Sequence, residues 1–155
     1  MKKKTKQEAL SCIEGLDLTQ ITRKLMQKHG WTPEQTATVE KWYKRFLALH
    51  VLYPGQHHVP NEYIDALWHA HILDTKKYAT DCATMFGEFM HHYPSYSRSS
   101  PTTDFFEETN MYYRIEFGED CVDMFKEQST KKQLVLSASR AAECEDSDGG
   151  QSDQS

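Results

Sequence analysis

The chain has 155 residues, enough for one domain with a loose end at either terminus. Apolar residues make up 38%, below the roughly 45–50% of an ordinary globular chain, yet 12% is Trp, Tyr or Phe, so the core it can build is small and aromatic-rich. With 18 Lys+Arg against 23 Asp+Glu (net −5) there is no basic face for nucleic acid, no run reaches the ~18–20 apolar residues of a membrane span, and no apolar stretch follows the basic start as in a signal peptide.

Lys2, Lys3, Lys4 and Lys6 open the chain, and residues 1–16 read as a flexible, solvated basic end. After Asp17, the spacing of Leu18, Ile21 and Leu25 predicts a helix that stops at His29-Gly30. Thr32-Pro33-Glu34-Gln35 starts the next one, with Thr32 as cap, Pro33 at the first helical position and Gln35 completing a capping box. That helix presents Val39, Trp42, Tyr43, Phe46, Leu47 and His50 along one side until Pro54-Gly55. Residues 56–60, with the histidine pair His57-His58, form a solvent-facing loop.

A third helix is predicted from Asn61 to about Leu73, and a fourth, capped by Asp74, runs to Phe86 ahead of a left-handed stop at Gly87. Residues 88–103 read as a short turn of helix followed by a loop around Pro94, Ser95 and Pro101. Phe105–Phe117 is aromatic at helical spacing and ends at Gly118, and a last short helix covers Asp120–Glu127. The reading is an all-α domain over residues 17–130, of about six or seven helices. Residues 131–155, rich in Ser, Asp, Glu, Gly and Gln, read as a disordered acidic tail.

Four cysteines (Cys12, Cys82, Cys121 and Cys144) are widely spaced without a CxxC pair, as expected of reduced thiols in a cytoplasmic protein. Six of the eight histidines fall in the pairs His57-His58, His69-x-His71 and His91-His92. Asp65 and His69 stand i,i+4 on one helix face, so Asp65 can be a metal ligand beside His69 or an acceptor that fixes its ring. His71 is turned about 200° from His69, so the two share one ion only if the helix loosens. On the next helix Tyr78, Asp81 and Cys82 share a face that can approach Asp65 and His69, and His91 or His92 can close the group. Imidazole, carboxylate and thiolate together suit zinc, iron or copper, and no nucleotide cofactor is expected. The other reading makes Asp65–His69 an ordinary helical pair and Cys82 a small buried hydrophobe. A Cys82–histidine nucleophile is the weaker alternative, because activated thiols favour helix N-termini and Cys82 stands mid-helix.

The run Ile64-Asp65-x-x-Trp68-His69-x-His71-Ile72-Leu73-Asp74-Thr75-x-x-Tyr78-x-x-Asp81-Cys82, with Phe86-Gly87 and His91-His92-x-Pro94 after it, resembles short bacterial members of the glycine-rich domain-containing protein-like family. The resemblance covers about residues 17–128 and lacks the glycine-rich segment of the plant members. It implies that Asp65, Trp68, His69, His71, Tyr78, Asp81 and Cys82 belong to one recurrent unit. Two functions follow. One is a transition-metal site around His69 and His71, with Asp65, Cys82, His91 or His92 as partners and Trp68, Tyr78 and Asp81 in support. The other is a non-enzymatic module that contacts a protein or peptide partner and uses the same motif as a packing core.

Overall fold

The architecture follows from where the helices are capped. A computed structural model describes residues 4–93 and 102–121, all within the first of the two units, 1–122 and 123–155, into which the chain divides. Among the described residues there are six helices and no strand: α1 (Lys6–Glu14), α2 (Thr19–His29), α3 (Pro33–Leu52), α4 (Glu62–Leu73), α5 (Thr75–Phe86) and α6 (Thr102–Phe117). Residues 4–93 and 102–121 make one compact all-α domain.

The Thr32/Gln35 capping box forms as the sequence predicts, with Pro33 in the first turn. Asn61 caps α4 by accepting the Ile64 amide at 2.9 Å. Asp74 separates α4 from α5 but makes no side-chain cap, so the expected cap is absent there. Gly87 ends α5 at φ 75°, a left-handed conformation that a side chain would strain.

α3 is the central element. Val39, Tyr43, Phe46, Leu47 and Leu49 are fully enclosed, and α1, α2, α4 and α6 all pack on it. Each such aliphatic or aromatic side chain contributes about 1.5–3 kcal/mol by leaving water.

The amino-terminal end departs from the expectation of a flexible 1–16 segment, because residues 6–14 are helical. Thr5 and Glu8 form a reciprocal capping box, with Thr5 N donating to the Glu8 carboxylate at 2.7 Å and Glu8 N to the Thr5 hydroxyl at 3.2 Å. Ala9 and Ile13, i,i+4, are then buried against α3 and α5. After Gly87, residues 88–93 run without helix, where a short turn was expected. α6 begins at Thr102, three residues before the predicted start. Asp120 and Cys121 are not helical, and the remainder of the helix predicted to Glu127 lies outside the described residues. So do the loop around Pro94, Ser95 and Pro101 and the tail 131–155. Among the described residues, no helix is long and apolar enough to cross a membrane.

Candidate metal centre

α4 has two working faces. Ile64, Leu67, Trp68 and His71 point into the core, while Asp65 and His69, one turn apart, line its outer face. His92 reaches the outer pair from the irregular segment after Gly87. Its Nε2 lies 2.8 Å from Asp65 Oδ1 and 3.0 Å from His69 Nε2, and His69 Nε2 lies 3.4 Å from Asp65 Oδ2. One donor atom from each of Asp65, His69 and His92 falls within 4.8 Å of the others.

Counting protons shows what this convergence can hold. An N–H on His92 Nε2 directed at Asp65 accounts for the 2.8 Å contact. The same N–H can be shared with a lone pair on His69 Nε2 at 3.0 Å, as a three-centre bond. A cation at the common point can take the place of that proton, because both rings and the carboxylate can then present lone pairs to it. Donors at about 2.0–2.1 Å from a tetrahedral ion lie about 3.3 Å apart. The separations of 2.8, 3.0 and 3.4 Å are near that spacing, the two to Asp65 ending on different carboxylate oxygens. Asp65, His69 and His92 can therefore hold a metal ion.

His92 is held from behind. Its ring packs on Trp68 with centroids 4.3 Å apart. The Trp68 indole N–H donates to the Tyr78 hydroxyl at 3.0 Å, and that hydroxyl donates to the Met90 carbonyl at 2.6 Å. Burial raises the Tyr78 hydroxyl far above its ordinary value, so it stays a donor.

The other residues singled out in the sequence lie elsewhere. His71 is fully buried on the inner face of α4, with Nδ1 2.7 Å from the Tyr43 hydroxyl and Nε2 2.8 Å from Asp81. A neutral ring satisfies both, accepting from Tyr43 and donating to Asp81. Burial pushes its pKa down against the opposing pull of Asp81. Asp81 is also paired with Lys77 at 2.9 Å. His71 and Asp81 thus tie α4, α5 and α3 together and do not join His69. Helical geometry is the reason: a regular α4 keeps residues 69 and 71 on opposite sides. Cys82 is fully buried, and that burial raises its thiol above the usual range, against opposing contacts from the Met90 backbone and Tyr78. It lies outside the Asp65–His69–His92 group, and a raised thiol pKa is the opposite of what activates a cysteine. His91 is exposed, its ring between Phe89 and Tyr93.

Two further histidines are structural, one of them against expectation. His58, expected to face solvent, is buried and bonded through Nε2 to the Tyr53 carbonyl at 3.0 Å. His50 Nδ1 bonds the Phe46 carbonyl at 2.9 Å, and burial lowers its pKa to about 4. Both line a cleft of about 760 Å³ that reaches Asp65 and His92, with His57, Trp68 and His91 on its walls. A second cleft of about 780 Å³, between α2 and α4, reaches Asp65 and His69 from the other side. The three donors stand where the two clefts meet.

No curated protein and no solved structure matches this chain. Residues 11–136 match the UCP032817-like family, a span that takes in every described helix from α2 onward together with Asp65, His69 and His92, and the chain belongs to that family.

Proposed function

We propose that this protein binds a divalent transition metal, zinc or iron(II), through Asp65, His69 and His92. The supporting observation is the convergence of two imidazole nitrogens and a carboxylate oxygen within 4.8 Å, with the two ring nitrogens 3.0 Å apart. Two histidines and one carboxylate suit zinc and iron(II), and a set without a thiolate argues against copper(I). Three protein donors leave coordination positions for water and for a substrate donor. The half-exposed His69 side chain turns those positions toward the clefts. A metal held this way polarises a bound carbonyl or activates a bound water, which fits a hydrolytic or oxidative step on a peptide or small molecule.

The test is metal analysis of the purified protein, followed by Zn²⁺ and Co²⁺ titration of the metal-free form. His69→Ala, His92→Ala and Asp65→Ala are each expected to weaken binding by ~100-fold or more, since each removes a donor outright. Binding that is absent in the intact protein, or equal in all variants, would sink the reading.

The interaction-module reading predicts that each histidine is bonded to its own carbonyl, carboxylate or hydroxyl. That describes His50, His58 and His71. His92 also meets the Asp65 carboxylate at 2.8 Å, but it shares that one carboxylate with His69, and the two rings face each other at 3.0 Å. The motif thus divides into a packing half and a half that supports the metal reading.

A further inference from the structure

Asp65 and His69 reach the metal-binding point from one helix and need only α4 to be in place. His92 does not. It stands 23 residues beyond His69, on a segment that leaves α5 at the left-handed Gly87 and has no helical hydrogen bonds of its own. Something else must fix its position.

We infer that Tyr78 is a positioning residue of this site: its hydroxyl, between the Trp68 indole and the Met90 carbonyl, fastens the 88–93 segment to α5, beside a contact of the Met90 backbone with Cys82, and so sets His92 against Asp65 and His69. The inference rests on the metal reading for its consequence, not for its geometry.

Three observations carry it. The Tyr78 hydroxyl donates to Met90 O, two residues before His92, at 2.6 Å. It accepts the Trp68 N–H at 3.0 Å, and the face of that same indole carries the His92 ring at 4.3 Å. The Tyr78 ring also meets Phe89 edge-on, with centroids 5.2 Å apart, which adds a contact one residue before the fastened carbonyl. One buried phenol thus joins the floor under His92 to the backbone that carries it. Tyr78 touches none of the three donor atoms, so its effect on them runs through His92.

The sequence spacing follows from this arrangement. Trp68 and Tyr78 must stand on neighbouring helices at the height where the chain returns, and Trp68 must adjoin His69 so that one residue of α4 supports His92 while the next meets it. This accounts for Trp68 and Tyr78 in the motif without giving either a place on the metal.

The test compares wild type, Tyr78→Phe, His92→Ala and the double variant, all as the full chain. In the metal-free wild type, an NMR cross-peak between the His92 and Trp68 rings is expected, and it should vanish in Tyr78→Phe. Zn²⁺ affinity should fall about tenfold in Tyr78→Phe, the scale of losing a residue that orients a ligand. In the His92→Ala background the same change should leave the remaining Zn²⁺ affinity within twofold, because the residue it positions is gone. An unchanged cross-peak in Tyr78→Phe overturns the inference. So does an equal loss of affinity with and without His92, which would mark a general structural role. If wild type binds no Zn²⁺ yet the cross-peak still depends on Tyr78, the metal reading fails and the positioning stands. Should Tyr78→Phe not fold, wild-type amide relaxation decides: Phe89–His92 must be as ordered as α4, with order parameters near about 0.85, and a mobile segment overturns the inference.

Discussion

His69 and His71 stand two residues apart and face opposite physical demands. His71 is enclosed, and its two nitrogens are matched by one hydroxyl donor and one carboxylate acceptor. Replacing it with Ala leaves a cavity, strands the Tyr43 hydroxyl and removes a partner from Asp81. A loss of about 2–4 kcal/mol in urea denaturation is expected, the scale of a buried polar deletion with a cavity. His69 lies half in solvent, and His69→Ala should change stability of the metal-free protein by less than about 0.5 kcal/mol. The two variants separate packing from ligation, because the costly one spares the three donors and the cheap one removes one of them. Equal costs would show that the outer pair is also structural.

At the scale of the helices, local chemistry was readable wherever a cap or a stop lay in the sequence. Thr32 and Gln35, Asn61, Gly30, Gly87 and Gly118 mark real boundaries. α1 was missed because Lys2, Lys3, Lys4 and Lys6 read as a solvated basic end, while the deciding signal was the Thr5-x-x-Glu8 box ahead of Ala9 and Ile13. Thr5→Ala should lower stability by about 1 kcal/mol in thermal or chemical unfolding, the usual worth of an N-cap side chain. A change within error would mean that burial alone holds α1. The site was half readable for the same reason. Asp65 and His69 share a face by helical period, a local property. The approach of His92 depends on an irregular segment fastened by Tyr78, which no periodicity encodes. Cys82 fell away because the packing of α5 on α1 and α4 turns that face inward.

Across the whole molecule, the fold encloses groups in their uncharged forms, and this bounds the pH range over which it is stable. His50 titrates near 6.5 in the unfolded chain and about 4 in the fold, chiefly through burial, and His58 is lowered for the same reason. Between those values the unfolded chain binds more protons than the folded one, so stability rises with pH there. It is whole above about pH 6.5 and falls as pH drops toward 4, by about 3 kcal/mol from His50 alone. The opposite limit comes from acids kept protonated. Burial raises the Cys121 thiol to about 12 and lifts Cys82, Tyr43, Tyr78 and Tyr113 as well. Above about pH 9 the unfolded chain releases protons that the fold retains, and stability falls as pH rises. The metal-free protein is therefore expected to show its highest Tm between about pH 6.5 and 8.5, with a descending arm on each side. His50→Phe, which fills the same space without an ionisable ring, should flatten the acid arm and leave the alkaline arm unchanged. An acid arm as steep as wild type in that variant would mean that His50 does not set the lower limit and that His58, His71 or the carboxylate pairs do.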